Sequence, residues 1–145
     1  MENQNIIVST KDFVTIITLN RPPMNSINLG IREELFRAVQ SIEESRETRA
    51  VIITGAGEKG FSAGMDVSDI ANLTKGPNGN DIMNAISRSK KPYIAAINGH
   101  ALGGGCEISM HGARCQPCGE TYIGLVEVGV GVIPAGGGCK ELSVR

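Results

Sequence analysis

The chain has no tryptophan and only five aromatic residues, three Phe and two Tyr, among its 145 positions. So few rings leave little from which to build a stacking platform for nucleic-acid bases. An excess of charge of one sign is also missing: 14 Lys and Arg stand against 15 Asp and Glu, a formal net charge of −1. With no basic cluster, the electrostatic footprint of a nucleic-acid partner is absent. No apolar run reaches the roughly 18 residues that a membrane span needs, so no membrane partner is expected. The opening Met1-Glu2-Asn3-Gln4-Asn5 is polar and lacks the basic start and apolar core of a secretion signal. A cytoplasmic protein is expected.

Cysteine is scarce, at Cys106, Cys115, Cys118 and Cys139. Cys115-Gln116-Pro117-Cys118 has the C-x-x-C spacing of redox or half-zinc sites. Zinc would need two more ligands at matching spacing, and no second pair exists. The four read as ordinary reduced thiols, and no metal site is expected.

Glycine, by contrast, is plentiful, with 19 residues. The densest run lies in Asn98-Gly99-His100-Ala101-Leu102-Gly103-Gly104-Gly105-Cys106-Glu107. The uncharged Tyr93-Ile94-Ala95-Ala96-Ile97 before it reads as a buried strand, and Glu107 to His111 can continue as a helix. Three consecutive glycines let backbone come close to another group, and free amides at a helix start attract negative charge. A carboxylate one turn further on is a candidate catalytic group. The plainer alternative is a flexible turn with a solvated Glu.

Taken in order, the chain opens with two apolar runs, 6–8 and 14–19, separated by Lys11-Asp12, which predict a β-hairpin. Asn20-Arg21-Pro22-Pro23 ends it, since proline cannot donate to a ladder. A helix is expected from a cap at Asn28. Its inner face is Ile31, Leu35, Val39 and Ile42, with Phe36 beside them, while Arg32, Glu33, Arg37, Gln40 and Glu44 face away. Arg49 to Thr54 reads as the next strand, which makes a β-α-β crossover and an α/β fold. A glycine-rich loop is expected over 55–69, a mobile surface segment over 73–80, and a short helix near 81–88. A short strand follows at 120–124, then an apolar stretch broken only by Glu127, then a second glycine turn, Pro134-Ala135-Gly136-Gly137-Gly138. No repeat or linker divides residues 1–145, and a further helix is starting where they stop.

Three motifs overlap in the 55–69 loop. Gly55-Ala56-Gly57-Glu58-Lys59-Gly60 matches the dinucleotide fingerprint G-x-G-x-x-G, but that motif must open a helix, and Phe61-Ser62-Ala63-Gly64 opens one poorly. Gly60-Phe61-Ser62-Ala63-Gly64 matches the nucleophile elbow G-x-S-x-G, yet the strand ends several residues before it. Asp66, Asp69 or Asp81 with His100 or His111 could complete a triad, and no spacing selects among them.

The third reading joins distant segments. Val14 to Pro22, then Phe61-Ser62-Ala63-Gly64-Met65-Asp66, then Asn98 to Glu107, then Glu127 and Ile133-Pro134 with its glycines, resembles in order the crotonase (enoyl-CoA hydratase/isomerase) superfamily. Residues 122–142 are most similar to the hydratase part of bacterial 3-hydroxyacyl-CoA dehydrogenase proteins. The resemblance implies a crotonase-like stacked β-α-β superhelix of which 1–145 is the N-terminal part, lacking the C-terminal helical region. It implies enoyl-CoA hydratase activity: Met65 and Gly104 supply the oxyanion-hole amides, and Glu107 and Glu127 are the catalytic acid–base pair. By the same resemblance Ala63, Met65, Asp66, Val67, Ser68 and Gly104 bind the substrate and its CoA. Acyl-CoA is then the partner, and no cofactor beyond the CoA moiety is needed. Apolar surroundings disfavour the charged form of a carboxylate such as Glu127, which suits acid work; an exposed edge position is the other reading of it. Double-bond isomerisation and a non-catalytic acyl-CoA-binding fragment are the alternatives. Family-like trimers or hexamers are expected only if the shortened chain still assembles.

Overall fold

The structure, a computed structural model, describes residues 4–144. The hairpin forms as predicted: β1 (Ile6–Lys11) pairs antiparallel with β2 (Val14–Leu19), from Ile6↔Leu19 to Lys11↔Val14. Asp12 and Phe13 turn between them at φ 50° and 65°, the handedness that matches strand twist. The Arg49 guanidinium lies over the Phe13 ring, 4.4 Å from its centre.

Helix α1 (Leu29–Glu44) starts at Asn28, whose side chain accepts the Ile31 amide, and it returns the chain to β3 (Ala50–Gly55), parallel to β2. Ile31, Leu35, Val39 and Ile42 are buried, as their 3.6-residue spacing requires. They pack with Ile17 and Leu19 of β2 and Val51 and Ile53 of β3 in one apolar core, because alternate strand residues point to the same face.

From β3 onward each turn of chain contributes a strand to two stacked sheets. β3 is followed by β4 (Gly60–Ser62), β5 (Tyr93–Ile97) by β6 (His100–Leu102), and β7 (Arg114–Pro117) by β8 (Ile123–Gly124). The larger sheet has the order β1-β2-β3-β5-β7 and the smaller β4-β6-β8, with every pairing after the hairpin parallel. Helix α2 (Gly79–Arg88) precedes β5, α3 (Gly104–Met110) follows β6, and α4 (Gly138–Val144) closes the described chain. This is the expected α/β stacked superhelix.

Several expectations need correction. The loop over 55–69 contains β4 and the start of a 3₁₀ turn, Val67–Asn72, and the densest glycine stretch contains β6; three-residue strands are too short to show alternation. Cys115 to Cys118 is mostly β7, an edge strand where Pro117 is tolerated; the four cysteines are outside disulfides, in agreement with the reading of them as reduced thiols. The strand at 120–124 shrinks to two residues. Arg32 does not face away: it is 1% exposed, and its guanidinium donates to the carbonyls of Asn72, Leu73, Lys75 and Pro77. The segment expected to be mobile is thereby tied to α1.

Candidate active site

Two asparagine side chains shape the loop after β3. Asn25, fully buried at φ 49°, donates through Nδ2 to the carbonyls of Ala56 and Gly60, each at 2.9 Å, and accepts the Arg21 amide at 3.0 Å. Asn98 bonds both the amide and the carbonyl of Gly55, at 3.2 and 2.9 Å. Ser62 is equally buried; its hydroxyl donates to the Asn25 carbonyl at 2.8 Å and accepts the Gly64 amide at 3.1 Å. No helix follows Ser62, and Gly60 opens a strand instead of a helix. Neither the nucleophile elbow nor the dinucleotide turn is formed.

The loop instead presents an amide. Ile27 bridges Met65 in parallel fashion: Ile27 donates to the Gly64 carbonyl at 2.8 Å, and Asp66 donates to the Ile27 carbonyl at 3.0 Å. In such a ladder the bridged residue's own amide points the other way. Gly104 is the first residue of α3, where amides have no partner within the helix. Among the described residues, no hydrogen bond takes up the Met65 or the Gly104 amide. The two are close, since a Cβ built on Gly104 would lie 3.7 Å from the Met65 nitrogen.

Glu107 stands one turn along α3 and is 5% exposed. Its Oε1 accepts the amides of Gly136 at 2.7 Å and Gly138 at 3.2 Å, so the second glycine turn clasps the carboxylate. These charge-assisted bonds compensate for its burial. Behind it, His111 Nδ1 lies 2.7 Å from the Glu107 carbonyl oxygen. Glu127 opens a 3₁₀ turn, Glu127–Val130, and its Oε1 would lie 3.1 Å from a Cβ on Gly103. Gly103 has φ 51°, a backbone conformation that favours glycine. Glu127 is half-buried, and its Oε2 is sealed from solvent without a hydrogen-bond partner among the described residues. It is therefore not an exposed edge residue. Cys106, between the two carboxylates in its electrostatics, has its thiol pushed up to about 11, first by burial and then by Glu107 and Glu127.

Met65, Gly104 and Glu107 line one cavity of about 180 Å³ together with Ile27, Met83 and Gly136. Glu127 is not among its lining residues; it lies against Gly103, the residue before Gly104. Of the other expected binding residues, Ala63 is half-buried and bonded through its amide to the Met24 carbonyl. Val67 and Ser68 are exposed. Asp66 takes hydrogen bonds from Ser68 and pairs with Arg21 at 2.6 Å; the Ser68 hydroxyl first, then Arg21, holds its carboxyl below the usual range against the opposing effect of burial. Sequence reasoning missed Asn25, Arg32 and the Gly136 amide. Asn25 carried a signal as an asparagine two residues after a proline pair, a residue type that tolerates positive φ, and Gly136 lay in the glycine turn already singled out; Arg32 carried none. Among the described residues no group of three His, Cys, Asp or Glu side chains is placed to hold a metal. No helix among them is long and apolar enough to cross a membrane.

Two stacked, mainly parallel sheets joined by helices in this order define a crotonase-type fold. The chain belongs to the enoyl-CoA hydratase/isomerase family, whose model matches residues 9–144. It is 39% identical to a short-chain-enoyl-CoA hydratase of Clostridium acetobutylicum, over 99% of this chain and 58% of that protein. A crotonyl-CoA hydratase of Syntrophomonas wolfei is 35% identical, over 98% of this chain and 57% of its own length. The crystal structure of an enoyl-CoA hydratase from Bacillus anthracis superposes with a TM-score of 0.88 at 37% identity, covering 97% of this chain and 58% of that one. The chain thus spans a little under three-fifths of the length of the relatives it matches.

Proposed function

We propose that this chain carries the active-site half of an enoyl-CoA hydratase, which adds water across the double bond of a 2-enoyl-CoA thioester. The observation that carries the reading is the pair of unengaged amides, Met65 and Gly104, in one cavity with the buried Glu107. The thioester carbonyl oxygen accepts both amides, and the enolate that develops on it is stabilised by about 3 kcal/mol per donor. Glu107 uses the oxygen left free by the glycine clasp to take a proton from water, whose oxygen bonds to the β-carbon. Glu127 delivers a proton to the α-carbon, so one water is consumed; Glu107 ends protonated and Glu127 ionised, and loss of a proton from Glu107 to solvent with uptake of one by Glu127 resets the pair. Ala63 to Ser68, on the outer side of the Met65 amide, carry the CoA arm. CoA is a carrier on the substrate; no other cofactor and no metal is required. The reading includes a cytoplasmic setting, a likeness of 122–142 to the hydratase part of bacterial 3-hydroxyacyl-CoA dehydrogenase proteins, and family-like trimers or hexamers where the assembly surfaces suffice.

Glu107→Gln and Glu127→Gln each keep size and lose the acid–base function, worth about 10²–10⁴-fold. Each is expected to cut hydration of a short 2-enoyl-CoA by that factor, followed by loss of the conjugated thioester absorbance. Wild-type turnover in either folded variant overturns the assignment. Faster turnover of a 3-enoyl-CoA than of the 2-enoyl-CoA favours isomerisation; acyl-CoA binding without turnover favours a binding fragment.

A further inference from the structure

We infer that Arg32 is a positioning residue that sets the acyl-chain selectivity of the cavity, by suspending one of its walls. The inference takes its ligand class from the hydratase reading above. Within six residues, four backbone carbonyls converge on this guanidinium: Nη1 donates to Pro77 at 2.7 Å, Lys75 at 3.2 Å and Leu73 at 3.5 Å, and Nη2 to Asn72 at 2.7 Å. Among the described residues no carboxylate forms an ion pair with it. A cation this deeply buried must keep its hydrogen bonds or bear a large desolvation penalty, so the carbonyl cage and the arginine hold one another.

The caged loop leads straight into the cavity wall. Asn78 follows Pro77 and caps α2 in a reciprocal capping box with Asp81. Asn78, Gly79, Asn80, Ile82 and Met83 then line the cavity, as does Arg32 itself. Met83 also reaches the opposite side, since a Cβ on Gly136 would meet its terminal carbon at 2.4 Å. Thr74, Lys75 and Gly76 are exposed; apart from the arginine, the loop is held by the local turn bonds of Leu73 and Lys75, by the link from Asn72 to Asp69, which accepts the Leu29 amide, and by Gly76 lying close to the Leu29 and Glu33 side chains. Releasing the carbonyls therefore loosens the first turn of α2, and with it the space open to an acyl chain.

The test compares the unmodified protein with Arg32→Met, which keeps the length of the stem, and Arg32→Lys, which returns a cation with fewer donors. Hydrogen exchange reads the wall, and calorimetry with the unreactive butyryl-CoA and octanoyl-CoA reads selectivity. In Arg32→Met, amides 72–80 are expected to exchange at least tenfold faster while those of β3 are unchanged. The ratio of Kd for butyryl-CoA to Kd for octanoyl-CoA should rise at least fivefold, and Arg32→Lys should fall between. An unchanged ratio, or an equal loss of affinity for both thioesters and for free CoA, overturns the inference. If Arg32→Met does not fold, the same comparison is made on Arg32→Lys. Should the unmodified protein bind neither thioester, the hydratase reading fails, and exchange alone decides whether Arg32 holds the wall.

Discussion

Glu107 is carried into the interior on two amide bonds from a turn 29 and 31 residues away. The geometry of that clasp depends on Gly136, where a Cβ would lie 2.3 Å from Glu107 Oε2 and 2.4 Å from Met83. Gly136→Ala should leave the far-UV circular dichroism intact and lower kcat for hydration about 10²-fold, the usual effect of misplacing a catalytic group by about 1 Å. An activity equal to wild type would mean that the clasp does not set the carboxylate. Asn25 acts at the same scale on the other half of the site. Asn25→Ala leaves the buried Gly60 carbonyl and the half-buried Ala56 carbonyl without their donor, a loss of about 1–3 kcal/mol for the buried group, readable as a lower urea midpoint. Both residues act by joining distant segments, so their partners cannot be read from the linear chain.

At the scale of elements, α1 was legible in full outline and wrong in one residue. Its cap and inner face follow from spacing alone, and Leu35, fully buried in the core, should cost about 2–5 kcal/mol when cut to Ala, measured by denaturant unfolding. Arg32 lies beside that face, where periodicity predicts solvent; the 72–77 loop covers it instead, and nothing local to α1 announces the loop. Strands β4 and β6 were read as loop because three residues flanked by glycine carry no alternation. Their identity comes from pairing with each other and with β8. The two free amides belong to the ends of such elements, where ladders and helices leave donors unused.

Across the whole molecule, three carboxylates tie segments together and should govern its acid stability. Glu43 is held below its usual range first by the Ser89 hydroxyl, Asp66 first by that of Ser68, and Asp69 first by the Asn72 side chain. Glu43 links α1 to the approach to β5, and Asp69 accepts the Leu29 amide at the head of α1. A lowered folded-state value means a contribution that is complete above the unfolded value, about 4 for these groups, and is lost as pH falls through the folded one. The urea midpoint should therefore hold from pH 7 to about 5 and drop below about 4. Glu43→Gln combined with Asp69→Asn should flatten that drop, and an unaltered acid limb would show that other groups control it.

The sequence by itself determined what local periodicity and composition can encode: the hairpin, the capped α1, the β-α-β start, the buried strand at 93–97, and the glutamates and glycines as candidates. The tertiary structure decided which of three overlapping motifs in the 55–69 loop is real. It also brought Met65 to Gly104, hung the Glu107 carboxylate on Gly136 and Gly138, and buried Arg32. Each of these is a contact between segments some 30 to 45 residues apart. Such contacts depend on how the parallel strands stack, and that stacking is a property of the assembled sheets that no single stretch of chain carries.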